Sequence, residues 1–554
     1  MSNLNRLLSD PRAGFDKLTE EERIAREADI STDSGSEGAS STDSDDETGQ
    51  PAQDTTKSKR KASQELVNAS TKATKHSSTG KEPSTSNLKF PNGALRITRT
   101  EGRKKAKNCV GLEDLVDKQS LVSACIYSYF IADGDLLKYL PLSKTSNDVP
   151  IYIGRDVGYD EHINGGAAAK AGLQIKGKAT KKQLDVMESD IHRRYQDMYG
   201  KNYHAFNAWA PGSAHTKILL LVYRSFLRLV ITSCNMMDSD TVHGDNHWYI
   251  HDIPRLTTRS QKMTATKFEQ DLLSHLRSLR VPHTFIDSIE GQFDYSSVRV
   301  QLITSVPGTW SGAKAEQHGL LRLRNAVNTL GLGLPKKNSE GKLQIEVCAA
   351  SIGKLNAKWL NGFHDCVLGK QDLTVAREDC QIPNLKIFYP TRGNFEDAHK
   401  SAQQGATNLG CHTKPWKSAH DDIKRLFHHY VSKDPGCLLH QKLIAVFNGR
   451  DRLKTLYFLY IGSANLSQSA WGALEDDKRG NDATSGTKLV KTTNLECGVL
   501  IPGRLIEDLL EPGTESWIEG VIPYEQNARQ YDLLRDEPFT SDMWVREENW
   551  RDDY

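Results

Sequence analysis

Two short motifs in this sequence each supply one histidine, one lysine and one asparagine in the same order. The residues are His215, Lys217 and Asn235 in the first copy, and His440, Lys442 and Asn465 in the second. Histidine can attack phosphorus or exchange protons, because its ordinary pKa of about 6.5 lies near working pH. Lysine and asparagine can hold phosphoryl oxygens. The two sets together predict phosphoryl transfer with no metal and no cofactor.

Phosphodiester chemistry would give the two histidines different tasks. If they lie on opposite sides of the phosphorus, one attacks in line and forms a covalent phosphohistidine. The other protonates the leaving oxygen and then activates water. A single histidine-x-lysine pair arises often by chance, but two copies that each end in a serine-x-asparagine favour a site.

The motifs predict the elements that position them. Side chains alternate faces in a strand, so a histidine and a lysine two residues apart project to one face. The continuous apolar runs that follow predict central strands buried on both faces. Polar turns then predict hairpins that return Asn235 and Asn465 to the level of the histidines. These strands are predicted at residues 218–223, 227–232, 443–447 and 456–461.

The rest of the chain predicts an α/β fold, because strand-like runs alternate with helical patterns. Further strands are predicted at residues 120–131, 149–153, 298–304, 343–349, 385–389 and 497–501. Apolar residues at helical spacing predict helices over residues 268–279 and 423–430. One motif in each half predicts two related domains, residues 87–305 and 306–554, with the boundary at the sequence Ser-Val-Pro-Gly.

Residues 1–86 have a different composition, rich in serine, acidic residues and lysine. Such a segment cannot bury enough apolar surface to offset its ordering entropy, so we predict a disordered tail with a short helix at residues 18–25. The basic run at residues 57–61 has three interpretations: a nuclear localisation signal, a nucleic-acid contact, or solvated charge. The acidic serines resemble phosphorylation sites.

Composition excludes several classes of protein. Hydrophobic content of 37% and charged content of 26% are ordinary for a soluble globular protein, and the net charge of +1 names no partner. The nine cysteines form no C-x-x-C pair, which indicates reduced thiols rather than a zinc or disulfide framework. There is no signal-peptide pattern and no apolar run of about 20 residues, so we expect an intracellular protein without a membrane segment.

The repeated motif resembles that of the phospholipase D superfamily, in which an acidic residue usually follows five positions after the lysine. Apolar Val222 and Phe447 occupy those positions here, which is the pattern of the 3′-acting tyrosyl-DNA phosphodiesterase family. Residues 463–472, 305–308, 494–500 and 543–544 also resemble that family. The resemblance covers roughly residues 88–554. It implies two phospholipase D-like domains, each a mixed sheet flanked by helices, related by a pseudo-two-fold axis.

The resemblance also implies roles for single residues. His215 is the expected nucleophile and His440 the expected general acid and base, with Glu496 orienting His215. The expected partner of His440 is Asp245 or Asn246, of which Asn246 is nearer to the amide found in the family.

Contacts with DNA are implied at further positions. Ser351 and Ser467 match serines that contact DNA phosphates, and Lys414 is a candidate phosphate contact. The family places a base-stacking aromatic residue where this chain has Pro211. Trp209 lies nearby and is a candidate substitute, or alternatively a core residue.

The implied activity is hydrolysis of the bond between a 3′ DNA phosphate and a tyrosine, the lesion left by a stalled type IB topoisomerase. Expected partners are single- or double-stranded DNA 3′ ends and a topoisomerase-derived tyrosyl peptide. We expect a nuclear monomer with no membrane partner. The alternatives are another phosphodiesterase of the superfamily, a phosphatidyl-transferring enzyme, and a non-catalytic DNA-end-binding scaffold; the last would be expected to lack a histidine or lysine.

Overall fold

A computed structural model gives the fold of this 554-residue chain. It describes residues 88–103, 106–159, 180–256, 264–332, 343–373, 375, 379–398, 400–403, 405, 408–449, 455–477, 487–540 and 543. The predicted tail, its short helix and the basic run at residues 57–61 lie outside the described residues.

An eight-stranded mixed sheet carries the first motif. Its strand order is β2-β1-β9-β7-β6-β3-β4-β5. The strands are β1 (Ala94–Thr98), β2 (Cys109–Val110), β3 (Ser123–Ser128), β4 (Ile151–Asp156), β5 (Tyr203–Ala208), β6 (Lys217–Val222), β7 (Phe226–Thr232) and β9 (His247–Pro254). The first predicted hairpin is β6 and β7, which pair antiparallel with Ile218 opposite Ile231.

A seven-stranded mixed sheet carries the second motif, in the order β10-β22-β19-β18-β12-β14-β16. The strands are β10 (Gln301–Ser305), β12 (Leu343–Cys348), β14 (Lys386–Tyr389), β16 (Phe427–His429), β18 (Leu443–Asn448), β19 (Leu456–Gly462) and β22 (Glu496–Pro502). The second predicted hairpin is β18 and β19, with Leu443 opposite Ile461.

The two sheets repeat one topology. The order β9-β7-β6-β3-β4-β5 in the first corresponds to β22-β19-β18-β12-β14-β16 in the second. Strand directions also correspond: the motif hairpins are antiparallel, and the last three strands of each order are parallel. The predicted α/β fold with two related halves is thereby confirmed.

Three smaller ladders complete the described strands. They are β11 (Gly308–Trp310) with β21 (Thr487–Thr492) and β20 (Ala473–Asp476), β13 (Ser351–Ile352) with β15 (Gly410–Cys411), and β8 (Gly244–Asp245) with β17 (Leu438–Leu439). The last ladder joins a segment after the first motif to one just before the second. The predicted domain boundary at residues 305 and 306 stays a prediction; β10, which precedes it, is the edge strand of the second sheet.

Helices cover the sheets and fill the connections. The α-helices are Leu112–Leu115, Asp133–Leu136, Lys181–Tyr199, Asp238–Thr241, Lys267–Ser278, His283–Ile289, Gly312–Ala315, Gly319–Thr329, Ala357–Val367, Arg392–Glu396, Lys400–Gln403, Thr413–Ser418, Asp421–Lys424, Gln468–Trp471, Ile506–Leu509 and Trp517–Val521. Short 3₁₀ helices are Glu101–Arg103, Leu137–Tyr139, Val157–Tyr159, Tyr295–Ser297 and Gly503–Leu505.

The motif strands are buried on both faces, as their continuous apolar runs predicted. In β6, Leu220 packs into the core shared with the second sheet, and Leu219 and Leu221 pack into a separate core on the opposite face. The shared core also contains Ile461 and Val499 of the second sheet. Burial on two faces leaves the polar ends of these strands as the places where chemistry can occur.

One helix prediction is wrong. Residues 423–430 were expected to form a helix, but helix Asp421–Lys424 is followed by strand β16. Phe427 pairs with Ile387 of β14, which extends the parallel part of the second sheet. Apolar spacing over so short a run fits either element, and here pairing with the sheet decides. The helix predicted over residues 268–279 is observed as Lys267–Ser278.

All nine cysteines lie among the described residues and are free thiols, so the expectation of no disulfide framework is confirmed. In the described part of the chain, no helix is both long enough and apolar enough to cross a membrane.

Candidate active site

Both motifs reach the same buried place, at the ends of the central strands of the two sheets. His215 is 8% exposed and His440 is 4% exposed, and both motif lysines are fully buried. Lys217 is the first residue of β6, and Lys442 directly precedes β18. Asn235 and Asn465 follow the returning strands β7 and β19. The hairpins therefore bring each asparagine back to the level of its histidine.

The second half of the chain fixes the orientation of His215. Its Nδ1 lies 2.9 Å from the Ser463 carbonyl oxygen and 3.1 Å from Glu496 Oε2. Because both neighbours are acceptors, Nδ1 carries the proton and Nε2 carries the lone pair. Burial lowers the pKa of His215 to about 4, with Lys217 acting in the same direction and Glu496 opposing. At neutral pH the ring is therefore uncharged, as a nucleophilic imidazole would need to be.

Glu496 is itself held in place. Its Oε2 accepts a hydrogen bond from Ser463 Oγ, and its Oε1 accepts one from Asn494 Nδ2 at 3.0 Å. Burial raises the pKa of Glu496, but the field of His215 and the hydrogen bonds from His215 and Ser463 outweigh it, so the net shift is downward. The carboxylate is ionised, and its charge faces Nδ1 of the candidate nucleophile.

His440 is held reciprocally by the first half of the chain. Its Nδ1 lies 2.9 Å from Asp240 Oδ2 and 3.2 Å from Asn246 Oδ1. Asp245, the alternative to Asn246, instead pairs with Arg103, and only its backbone carbonyl meets the His440 amide. The geometry therefore brings Asn246, and not the Asp245 side chain, to the ring.

The lysines lie against the histidines. Lys442 Nζ donates to His440 Nε2 at 2.9 Å, and Lys217 Nζ donates to the His215 carbonyl at 2.8 Å. Burial lowers the pKa of Lys442 to about 8, against the opposing fields of Asp240 and Glu496. Burial and the charge of Lys442 also lower the pKa of Lys217. The charged forms of the two buried lysines repel each other, and an anion bound beside both would offset that repulsion.

A family model described as tyrosyl-DNA phosphodiesterase matches residues 94–547. The chain belongs to the tyrosyl-DNA phosphodiesterase family. Three relatives are a tyrosyl-DNA phosphodiesterase 1 of Drosophila melanogaster, 26% identical over 60% of this chain and 57% of the relative; one of Arabidopsis thaliana, 26% identical over 48% and 44%; and a probable tyrosyl-DNA phosphodiesterase of Schizosaccharomyces pombe, 24% identical over 50% of each. The chain thus spans about half the length of the curated relatives it matches.

The fold is also that of a solved family member. The crystal structure of the yeast tyrosyl-DNA phosphodiesterase superposes with a TM-score of 0.55 at 16% identity, over 81% of this chain and all of that one. The resemblance seen in the sequence is thus confirmed at the level of family and fold.

The asparagines differ in what they contact. Asn465 Oδ1 accepts from the Ser351 amide at 3.0 Å, so this side chain also supports a neighbouring loop. Asn235 Nδ2 lies 3.5 Å from Asn408 Oδ1, while Asn235 Oδ1 is buried and has no hydrogen-bond partner among the residues that the structure describes. A buried amide oxygen without a donor is costly, which suits a site completed by another molecule.

Ser351 and Ser467 belong to adjoining backbone segments. Ile352 bridges Leu466 in parallel, so the two loops run side by side. Ser467 caps helix Gln468–Trp471 by accepting from the Ala470 amide at 3.2 Å. The two candidate phosphate contacts thus lie next to Asn465.

The remaining two candidate DNA contacts lie farther out. Lys414 is exposed on helix Thr413–Ser418, which begins just after β15, the strand paired with Ser351. Trp209 is half-buried and packs against the core on the outer face of the first sheet, which fits the core interpretation of this residue.

Three residues that contact the motif side chains were not predicted from the sequence. Tyr129 meets the His215 ring edge-on, with ring centroids 4.9 Å apart, and lies 5.2 Å from Lys217 Nζ. It follows β3, whose Ser128 pairs with Lys217, so only the sheet register reveals it. Asp240 and Asn408 were also missed. Asp240 follows Asn235 by five residues, an acidic neighbour that could have been considered.

Proposed function

We propose that this chain is a DNA-repair phosphodiesterase that hydrolyses the bond between a 3′ DNA phosphate and a tyrosine. The substrate would be the adduct left by a stalled type IB topoisomerase, together with other blocked 3′ ends. The observation that carries the proposal is the reciprocal orientation of the histidines. Each Nδ1 faces acceptors from the other half of the chain, so Nε2 is the ring nitrogen left for chemistry, in His440 once Lys442 turns to the phosphate.

In the first step, the Nε2 lone pair of His215 attacks phosphorus, and the bond to the tyrosyl oxygen breaks. His440 Nε2–H gives its proton to that oxygen, and the Nδ1 proton of His215 stays in place. In the second step, water attacks phosphorus and passes a proton to His440 while the phosphorus–nitrogen bond breaks. The product is a 3′-phosphate end, and both histidines return to their starting protonation states.

In this mechanism, binding of the substrate phosphate makes His440 available as the acid. Without substrate, Lys442 donates to His440 Nε2, the atom that must carry the acidic proton. A phosphodiester anion would draw the Lys442 and Lys217 ammonium groups to its non-bridging oxygens and offset their positive charge. Nε2 of His440 can then take up a proton from solvent, and this is the proton that it gives to the tyrosyl oxygen in the first step. We propose that side chains supply the nucleophile, the acid and the charge stabilisation, and that no metal takes part.

The test uses a 3′-phosphotyrosyl oligonucleotide in excess EDTA. Release of tyrosine together with a 3′-phosphate end supports the proposal. DNA binding without release would instead support a non-catalytic scaffold. Activity that EDTA abolishes would overturn metal independence.

The two steps can be separated with single substitutions. His440→Ala should accumulate a covalent protein–DNA adduct, because hydrolysis of the phosphohistidine then lacks its base. His215→Ala should give no adduct, because the attacking nitrogen is gone. An adduct trapped by His215→Ala but not by His440→Ala would reverse the two roles.

We also propose that the protein acts as a monomer in the nucleus on single- or double-stranded 3′ ends carrying a tyrosyl peptide. Both halves of the site come from one chain, so a second copy has no residue to add. Sedimentation at working concentration tests the monomer. Nuclear import tested with and without alanines at residues 57–61 decides the function of that basic run.

A further inference from the structure

His440 has a second partner that lies nearer than the amide of Asn246. Asp240 Oδ2 is 2.9 Å from His440 Nδ1, whereas Asn246 Oδ1 is 3.2 Å away. Asp240 lies on the short helix Asp238–Thr241, directly after the first motif, and is 1% exposed. A carboxylate this deeply buried is costly unless it is paired.

The Asp240 carboxylate is fixed by two donors besides the histidine. Its Oδ2 accepts from the Asn235 amide at 2.9 Å, and its Oδ1 accepts from Asn408 Nδ2 at 3.2 Å. Its backbone carbonyl accepts from Asn246 Nδ2 at 3.1 Å, so it also holds the competing amide in place. These bonds set the angle at which Oδ2 meets the ring.

The charges around His440 make this contact important. Burial lowers the pKa of His440, Asp240 raises it, and Lys442 and Lys217 lower it, with a net value of about 3. Burial raises the pKa of Asp240, but the field of His440, its hydrogen bond and Lys442 outweigh burial, so the net shift is downward. Asp240 is therefore ionised, and it supplies negative charge next to a ring that otherwise faces ammonium groups.

The same arrangement serves the other histidine. Glu496 Oε2 lies 3.1 Å from His215 Nδ1. Each histidine of the site thus faces one carboxylate from the opposite half of the chain. A neutral amide can orient an imidazole, but a carboxylate adds a full negative charge that stabilises the imidazolium of an acid catalyst more strongly.

We propose that Asp240 is the positioning residue of His440: its carboxylate holds the Nδ1 proton and stabilises the imidazolium that protonates the leaving oxygen. This inference rests on the proposed function. Loss of the Asp240 carboxylate should therefore slow hydrolysis most for substrates whose leaving oxygen must be protonated. A tyrosyl oxygen, with a phenol pKa of about 10, needs one. A nitrophenolate is a weaker base and leaves largely without one.

The experiment compares two oligonucleotides, one with a 3′-phosphotyrosine and one with a 3′-(4-nitrophenyl) phosphate. Asp240→Asn keeps the size of the side chain and removes its charge. We expect kcat on the tyrosyl substrate to fall about 100-fold or more with KM nearly unchanged, the scale of a lost general acid. Hydrolysis of the nitrophenyl substrate should fall by less than about tenfold, because its leaving group needs little proton transfer.

The pH profile gives a second readout. In Asp240→Asn the limb of kcat that reports the protonated acid should move to lower pH, because the imidazolium has lost its counter-charge. Asp238→Asn is the matched control: the same change on the same helix, but at an exposed side chain. It should leave both substrates and the profile as in the wild type. Equal losses on the two substrates, or an unmoved limb, would overturn the inference.

A spectroscopic measurement needs no Asp240 variant, which matters if Asp240→Asn does not fold. The Nδ1 proton of His440 should give a far-downfield NMR signal, identified by its loss in His440→Gln. With Asp240 as the main acceptor, that signal should persist in Asn246→Ala. Its loss in Asn246→Ala would make the amide the main acceptor and defeat the inference. Failure of the wild type on both oligonucleotides would instead count against the proposed function.

Discussion

At the scale of single residues, the carboxylate partners of the two histidines should affect different steps of the reaction. Glu496 faces the His215 Nδ1 proton, and in the proposed mechanism attack on phosphorus would place positive charge on that ring. Glu496→Gln should therefore slow formation of the adduct rather than its hydrolysis. In a His440→Ala background, which traps the adduct, we expect adduct formation to slow about 100-fold or more, as for a lost carboxylate partner of a catalytic histidine.

The measurement is a single-turnover time course of adduct on denaturing gels. Glu507→Gln, an exposed carboxylate outside the site, is the control and should leave the time course unchanged. Adduct that forms at the same rate but persists longer would assign Glu496 to the second step.

Lys442 predicts an upper pH limit for substrate capture. Burial lowers its pKa to about 8, so the free protein loses this ammonium charge as the pH rises through that value. We expect kcat/KM to fall by about tenfold per pH unit on the alkaline side. In Lys442→Arg the guanidinium stays charged, so the absolute rate should drop but the alkaline limb should disappear. A limb that is unchanged in Lys442→Arg would assign it to another group.

At the scale of elements, the sequence was most informative where strands are buried on both faces. Short, continuous apolar runs bounded by polar turns favour strands buried on both faces, and β6, β7, β18 and β19 lie within a residue or two of the predicted bounds. The polar residues at the ends of these strands gave six predicted site residues, and the structure brings all six together. The prediction failed at residues 427–430, where the apolar spacing suits a helix but an open sheet edge next to β14 accepts a strand.

The remaining part of the site could not be predicted from local pattern. Tyr129 enters because β3 is the neighbour of β6, a fact of register. Asn408 comes from a loop far along the chain and reaches Asp240 only after the halves meet. Asp240 lies close to Asn235 in sequence, but its contact is with His440, which lies just before β18 of the other sheet. The motifs predict which residue types the site contains, whereas the packing of the two sheets determines which side chains contact one another.

A buried ion pair at the ladder of β8 and β17 should contribute strongly to the free energy of unfolding. Asp245 pairs with Arg103 Nη1 at 2.6 Å, and its other oxygen accepts from the Tyr430 hydroxyl. Asp245 is fully buried, and removing one partner of a buried ion pair leaves an uncompensated charge. Asp245→Asn should therefore lower the free energy of unfolding by about 3–5 kcal/mol.

Urea unfolding followed by circular dichroism provides this measurement. The control is Glu113→Gln, whose exposed ion pair with Arg99 should contribute less than about 1 kcal/mol. Replacing both buried partners, in Asp245→Leu with Arg103→Met, should cost less than Asp245→Asn alone. An additive double loss would show that the pair does not act as a unit.

At the scale of the whole molecule, the site lies on a seam that buried histidines help to close. His247, in the first sheet, contacts the Val521 carbonyl through Nε2 at 2.7 Å. His275 Nε2 contacts Thr216 Oγ1 at 2.9 Å, and that hydroxyl donates to the Leu495 carbonyl. These contacts link segments from the two halves next to the first motif. Protonation of either ring would place a charge in this seam.

This seam predicts loss of stability in acid. Burial lowers the pKa of both His247 and His275 to about 4. Between that value and about 6.5 the unfolded chain binds more protons than the folded one, so stability falls as the pH falls through this window and is level above it. Each ring contributes up to about 1.4 kcal/mol per pH unit. His247→Gln and His275→Gln should each flatten the pH dependence of the free energy of unfolding, measured by urea denaturation, by up to that amount.

His283→Gln, an exposed histidine on helix His283–Ile289, is the matched control and should leave the slope unchanged. Because the seam carries His215 and His440, irreversible loss of activity on incubation at pH 5 should follow the same order, slowest where the slope is flattest. If the variants unfold with the wild-type slope, these rings are either already charged in the fold or remain solvated there. In that case the carboxylates near the site, Asp240 and Glu496 among them, would set the acid limit at still lower pH.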